Sequence, residues 1–195
     1  GVHGRKLKIV LKDDGYNPGR AVANMNELKD STFAIVGLLG TAVLNANKDL
    51  VGETGIPIVE PLGNVQVFAK QPKGKARSVF QIYPDYADEG EFLVQQAVGN
   101  GAKKIGLFGQ NDDYGKDYLK GLKDGLGDKV SMIIADKSYE VSDPSIDSQI
   151  VALHDSGADV FFSWAAPKGS AQAIRKVGGS MLAGFAVLTV VQLLT

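Results

Sequence analysis

Two acidic pairs, Asp13-Asp14 and Asp112-Asp113, each follow an apolar run of the chain. Adjacent carboxylates at the carboxyl end of a strand can hold Mg²⁺, as in receiver-like or phosphatase-like α/β folds. Aspartate is equally at home in turns and at helix starts, where its carboxylate accepts backbone N–H groups. The turn reading is the stronger, because neither pair comes with the lysine and further aspartate that phosphoryl transfer requires. The two histidines offer less. His3 lies near the start, and His154 sits in a helical stretch with no second ligand at metal spacing. Cysteine is absent, which excludes disulfides, thiolate metal sites and cysteine nucleophiles. The sequence contains no P-loop, no Gly-x-Gly-x-x-Gly after a strand and no Gly-x-Ser-x-Gly elbow. The expectation is a protein that is not an enzyme and holds no cofactor and no metal.

Binding chemistry is better represented. In open parallel sheets, ligands sit beyond the carboxyl ends of the strands. Gly37-Leu38-Leu39-Gly40-Thr41-Ala42 combines glycines for close backbone approach, the Thr41 hydroxyl and a helix start with free N–H groups. Gly40, Thr41 and Ala42 can therefore hold a carboxylate or phosphate, and Thr41 can equally be only an N-cap. In Pro61-Leu62-Gly63-Asn64, the residues Gly63 and Asn64 offer a backbone approach and an amide, or a plain turn. In Gln110-Asn111-Asp112-Asp113-Tyr114-Gly115, Tyr114 is an aromatic at a strand-to-helix turn. Core burial is not expected there, and its ring can cover an apolar ligand. Ser163 and Trp164 occupy the corresponding place one repeat later. Trp164, the single tryptophan, is a cleft wall or lobe core, with the cleft favoured.

These loops need strands and helices to position them. Strands are expected at 6–11, 33–36, 56–59, 78–82, 104–108, 129–135 and 159–163. Helices are expected over about 18–29, 41–54, 83–99, 114–126, 144–156 and 169–177. Asn17-Pro18 and Asp143-Pro144 both read as an N-cap followed by proline at the first helical position. Alternating strands and helices with short connections imply parallel sheets in an α/β fold. Two such runs imply two Rossmann-like lobes, 1–84 and 85–177. The stretch 60–77 is long for a connection inside a domain, which marks it as functional or mobile. The final 19 residues, 177–195, carry no charge. They contain Gly178, Gly179, Ser180, Gly184 and Gln192, so a buried strand continuing the sheet is a better reading than a membrane span. The tail 178–195 is otherwise unassigned.

Of 195 residues, 44% are apolar and 22% charged, a balance that buries a core and excludes general disorder. The net charge is −1, so no overall basic field draws nucleic acid. The first six residues lead straight into an apolar run, and no signal peptide is expected in them.

Six segments together resemble the periplasmic substrate-binding proteins of ABC importers, in the branched-chain amino-acid (Leu/Ile/Val-binding, type I) family. They are Gly1-Val2-His3-Gly4-Arg5-Lys6, Asp13-Asp14-Gly15-Tyr16-Asn17-Pro18, Gly37-Leu38-Leu39-Gly40-Thr41, Tyr86-Ala87-Asp88-Glu89-Gly90, Asp112-Asp113-Tyr114-Gly115-Lys116 and Gly157-Ala158-Asp159-Val160-Phe161-Phe162. The resemblance implies two lobes joined by a hinge, with a ligand captured between them on closure. It implies Thr41 on the ligand carboxylate, with Gly40 and Ala42 flanking, and Tyr114 as the second lobe's aromatic. Gly63-Asn64 falls near a second Thr or Ser of the family, from which Asn64 departs, and Ser163 or Trp164 falls near a further cleft position. The implied ligand is a branched-chain or aromatic amino acid, or an aromatic acid. The implied partner is an ABC permease, and the implied location the periplasm. A complete member begins with a further strand and helix and continues well past 177, so the fold is expected to be incomplete here, with exposed sheet edges open to dimerisation. The alternative is a ligand-sensing domain of a regulator or receptor with the same fold.

Overall fold

A computed structural model describes residues 3–68, 78–180 and 186–189. The chain divides into two units, Gly1–Tyr83 and Pro84–Thr195.

In the first unit, helix α1 (Pro18–Leu28) begins as its sequence dictates. The Asn17 side chain accepts the N–H of Arg20 at 3.0 Å, and Pro18 stands at the first helical position. Strand β1 (Ile35–Val36) leads to helix α2 (Thr41–Thr54), which ends on Gly55 in the left-handed conformation. Strand β2 (Ile58–Val59), a 3-10 turn at Val65–Phe68 and strand β3 (Val79–Phe80) follow. The sheet is parallel in the order β1-β2-β3. Its core is Ala21 and Met25 from α1, Val43, Leu44 and Val51 from α2, and Ile35, Ile56 and Ile58 from the sheet side.

The strand expected at 6–11 does not form. None of these residues enters a ladder, and Leu7, Ile9 and Leu11 are 77%, 81% and 88% exposed. A strand is stabilised by its neighbour's hydrogen bonds, and apolar alternation alone supplies none. The remaining unit-1 strands are two residues each, shorter than expected. Part of the irregular stretch, 69–77, lies outside the described residues.

In the second unit, helix α3 (Tyr86–Gly99) is capped by Asp85, with Asp88 and Glu89 in its first turn complementing the helix dipole. Strand β4 (Ile105–Gln110), helix α4 (Asp113–Leu126), strand β5 (Ile133–Tyr139), helix α5 (Asp147–Asp155), strand β6 (Val160–Trp164), helix α6 (Pro167–Ser180) and strand β7 (Ala186–Thr189) follow. The sheet is parallel, in the order β5-β4-β6-β7. A short strand thus continues the sheet within the uncharged tail; residues 181–185 and 190–195 lie outside the described ones. Among the described residues no helix is long and apolar enough to cross a membrane.

Strand alternation sorts the unit-2 core into two layers. Ile105, Leu107, Val160, Phe162 and Trp164 face α3 and α4. Phe108, Tyr139 and Phe161 face α5 and α6. Every residue of β4 and β6 is buried, as parallel strands covered on both faces must be. Helices α3 and α4 lie close together through glycine: a Cβ on Gly121 would stand 2.0 Å from the Ala87 carbonyl oxygen.

Two boundaries move. β5 starts at Ile133, after a 3-10 stretch at Gly127–Met132, so half of the expected 129–135 strand is helical turn. Asp143-Pro144 does not start α5. The Asp143 carboxylate accepts the N–H of Glu140 at 2.9 Å and closes a turn instead, and the helix begins at Asp147.

Candidate functional site

The carboxyl ends of β1 and β2 run side by side beyond the strands. Leu62 N–H donates to the Leu38 carbonyl at 3.0 Å, and Gly40 N–H donates to the Leu62 carbonyl at 2.6 Å. This lock brings Gly40, Thr41, Gly63 and Asn64 together. The backbone N–H of Asn64 donates to Thr41 Oγ1 at 3.0 Å, across 23 residues of sequence. A Cβ on Gly63 would stand 3.0 Å from the Thr41 nitrogen and 2.6 Å from Leu44 Cδ1, so only glycine fits there. Asn64 Oδ1 accepts the N–H of Gln66 at 2.8 Å and starts the 3-10 turn. Gly40, Thr41, Gly63 and Asn64 are buried, and Ala42 is half-buried.

Thr41 is not the N-cap of α2. That position is Gly40, at φ 102°, ψ 133°, and it makes no side-chain cap bond. The first N–H groups of α2, those of Thr41 and Ala42, are therefore left without a capping side chain, and the positive end of the helix dipole lies with them.

Sequence reasoning missed Tyr16. Its backbone is left-handed (φ 58°), and its ring lies where a Gly40 Cβ would meet Cε2 at 2.3 Å. The signal was local: Asp13 Oδ1 accepts Gly15 N–H and Asp14 Oδ1 accepts Tyr16 N–H, each at 2.8 Å. This first acidic pair therefore builds the turn that presents Tyr16. The second pair behaves alike. Asp112 Oδ1 caps α4 by accepting the N–H groups of Tyr114 (3.0 Å) and Gly115 (3.2 Å), and Asp113 faces Lys116. Among the described residues no group of three or more acidic or histidine side chains is placed to hold a metal ion. His154 is exposed beside Asp155.

In the second unit the expectation for Tyr114 is corrected. Its ring is buried, packed edge-on against Tyr86 (4.8 Å) and Tyr118 (5.4 Å). The turn is covered because α3 approaches α4 so closely. Trp164 is lobe core as well, 3% exposed and stacked on Tyr118 at 5.9 Å. Its indole nitrogen lies against Gly109 and Gly115, where a Cβ would stand 1.9 and 3.2 Å away. The Tyr118 hydroxyl donates to Glu89, and burial, with that bond, holds the phenol well above its ordinary pKa and hence neutral. Ser163 alternates onto the α5/α6 face, away from Tyr114. Its Oγ is buried with no hydrogen-bond partner among the described residues.

Sequence reasoning also gave no role to Gln110 or Tyr139. Gln110 Nε2 donates to Asp112 Oδ2 at 2.6 Å, and the Tyr139 hydroxyl donates to Gln110 Oε1 at 3.2 Å. That hydroxyl in turn accepts the N–H of Ala166 at 2.8 Å.

Two buried constellations thus lie at carboxyl ends of parallel strands, one in each unit, which is where open α/β sheets take ligands. The chain is similar to known binding proteins. An amino acid binding protein of Pseudomonas aeruginosa PAO1 is 25% identical over 83% of this chain and 43% of its own length. A substrate-binding periplasmic protein of Ralstonia solanacearum superposes with a TM-score of 0.86 at 23% identity, over 97% of this chain and 53% of that one. An ABC-transporter solute-binding protein of Rhodopseudomonas palustris, solved with 4-hydroxybenzoate, superposes with a TM-score of 0.79 at 20% identity, over 92% of this chain and 50% of that one. The chain spans about half the length of these relatives. The fold is that of the type I periplasmic binding proteins. Residues 1–188 match the periplasmic binding protein family as a whole, and the chain belongs to that family.

Proposed function

We propose that this chain carries the ligand-holding parts of a periplasmic solute-binding protein that captures a small carboxylate between its two lobes and delivers it to an ABC permease. The observation that carries the reading is the bond from Asn64 N–H to Thr41 Oγ1. A hydroxyl that accepts in this direction has its own proton left to donate. Thr41 O–H and the N–H groups of Thr41 and Ala42 then form a set of donors at a helix start, suited to a carboxylate. Gly40 and Gly63 let the backbone approach without side chains. Because Thr41, Gly63 and Asn64 are buried, admitting a ligand requires a movement that uncovers them, which a hinge supplies. Tyr114, whose ring packs on Tyr86 and Tyr118, stands just beyond the carboxyl end of β4 and is the apolar contact this reading expects from the second unit once movement uncovers it. An amino acid or aromatic acid fits this division of polar and apolar parts, and the names of the Pseudomonas and Rhodopseudomonas relatives support it.

The test is calorimetric titration with 4-hydroxybenzoate and L-leucine, repeated on Thr41→Ala and Thr41→Ser. A hydrogen bond to a charged group contributes about 1.5–3 kcal/mol, so Thr41→Ala should weaken binding by roughly 10- to 150-fold while Thr41→Ser stays close to the parent. Heat from neither ligand, or equal affinities for all three proteins, would sink the proposal.

A further inference from the structure

In the second unit, β4 runs to β5 on one side of the sheet while β6 lies on its other side, so the sheet's switch point falls between β4 and β6. Beyond the carboxyl ends of these strands lie the Asp112–Tyr114 turn and the Ala165–Ala166 turn. They are joined by a chain of hydrogen bonds through one buried phenol. Ala166 N–H donates to Tyr139 Oη at 2.8 Å, Tyr139 O–H donates to Gln110 Oε1 at 3.2 Å, and Gln110 Nε2 donates to Asp112 Oδ2 at 2.6 Å. Asp112 Oδ1 then accepts the N–H groups of Tyr114 and Gly115.

The direction of each bond is fixed by its neighbour. The Tyr139 oxygen accepts from a backbone N–H, so its proton points to Gln110. That sets the amide with its oxygen toward Tyr139 and its nitrogen toward Asp112. The carboxylate oxygen left over is the one that caps α4. Packing holds the phenol in place: its ring stacks on Phe108 at 5.2 Å, and a Cβ on Gly169 would stand 2.9 Å from the hydroxyl. Bonds Asn111 N–H to the Tyr139 carbonyl (2.9 Å) and Asn111 Nδ2 to Glu140 Oε1 (2.6 Å) tie the ends of β4 and β5 together beside it.

We propose that Tyr139 is a positioning residue of the ligand site: through Gln110 and Asp112 it sets the first turn of α4, and hence Tyr114, in register with the turn that starts α6. The inference rests on the reading of Tyr114 as a ligand-side residue. Tyr139 acts through Gln110 and Asp112 and not by touching ligand.

Two measurements test it. The first needs no ligand: amide hydrogen exchange of the 195-residue chain, compared between the parent, Tyr139→Phe and Gln110→Met. Loss of the relay should speed exchange at Tyr114 and Gly115 roughly five- to ten-fold in both variants, with Leu107 and Phe162 unchanged. Exchange at Tyr114 and Gly115 equal to the parent, or raised evenly at all four residues, overturns the relay and leaves Tyr139 a packing residue. Should Tyr139→Phe not fold, Gln110→Met alone decides the matter. The second is titration with 4-hydroxybenzoate and L-leucine. Where the parent binds, Tyr139→Phe should weaken binding roughly five- to ten-fold, and Tyr114→Phe with Tyr139→Phe should lose less than the sum of the single losses. Unchanged affinity, or strictly additive losses, overturns the positioning role. A parent chain that binds neither compound refutes the ligand reading and with it any role toward ligand, while the exchange result still decides the relay.

Discussion

Helix α4 carries glycine at Gly121 and Gly125, where helix propensity alone would favour alanine by about 1 kcal/mol each. The packing explains the choice. A Cβ on Gly121 would stand 2.0 Å from the Ala87 carbonyl oxygen and 2.7 Å from its carbonyl carbon and Cα, where ordinary contact begins near 3.4 Å. Both sides of the clash are backbone, so no side chain can rotate away. Gly121→Ala therefore has to push α3 and α4 apart by about 1.4 Å, the difference between 3.4 and 2.0 Å. That movement strains the Tyr86–Tyr118 stack at 4.9 Å and the Tyr86–Tyr114 contact. Overpacking costs about 1–3 kcal/mol, and an unyielding backbone contact belongs at the upper end. Set against the propensity gain, the net loss is about 2 kcal/mol. For a unit of this size that lowers Tm by roughly 5–10 °C. The matched control is Gly99→Ala, in the last turn of α3, where an added Cβ meets nothing within 4 Å. It should leave stability unchanged or raise it by up to about 1 kcal/mol. Thermal and urea unfolding, followed by circular dichroism, separate the two. Equal stabilities for Gly121→Ala and Gly99→Ala would refute the close approach of α3 and α4, and with it the explanation of why Tyr114 is buried.

Gly40→Ala should cost about 1–3 kcal/mol, because φ 102° is glycine backbone and the new methyl meets the Tyr16 ring. Adding Tyr16→Ala should not restore the loss, since the backbone strain remains; full recovery in urea titrations would show that the clash alone matters. Asp136, on β5, has its carboxyl pKa raised by burial, against the opposing pull of Lys123 and Lys137. The folded chain then holds that proton more tightly than the unfolded one. Stability contributed by the protonated group is lost as pH rises through the raised value. Asp136→Asn should accordingly raise Tm at pH 7 and give no gain below the unfolded carboxylate range; a gain independent of pH would point to another cause.

Much of the fold was legible because single residues decide it. Asn17-Pro18 starts α1 and Gly55 ends α2, each through its own backbone preference. The apolar runs 104–108 and 159–163 read as strands, and they are, with every residue of β4 and β6 buried. Where the reading failed, the deciding partner lay elsewhere. Asp143-Pro144 has the same form as Asn17-Pro18, yet Glu140 N–H captures the Asp143 carboxylate first. Residues 6–11 alternate like a strand, but alternation cannot supply a neighbouring ladder. Tyr114 sits at a turn and is buried because Gly121 and Gly125, about two and three turns further along α4, admit α3. Those two glycines, four apart in a helix, were the available signal. Thr41 and Asn64 were both singled out, but the bond between them spans 23 residues, and no local pattern encodes it. The Tyr139–Gln110 bond spans 29 and is hidden for the same reason.

The left-handed residues of the first unit bear on why its loop ends are built as they are. Gly37, Gly40 and Glu60 all lie just beyond β1 or β2, at φ 72°, 102° and 53°, and Tyr16, at 58°, packs on Gly40. Glu60 and Tyr16 have no glycine's excuse, and a side chain in this region costs on the order of 1–2 kcal/mol. Such strain persists only where the surroundings hold it, and it collects at binding sites. Here the surroundings are identifiable: the Asp14 carboxylate on Tyr16 N–H, the Phe80 carbonyl accepting Glu60 N–H at 2.9 Å, and the Gly40–Leu62 bond. Each fixes one of these left-handed residues. A fold needing only a strand-to-helix turn can use one glycine there. Holding a side-chain-free cap, a directed threonine hydroxyl and uncapped N–H groups in one place needs the loops of both strands pinned. That is the arrangement the proposed carboxylate site would require.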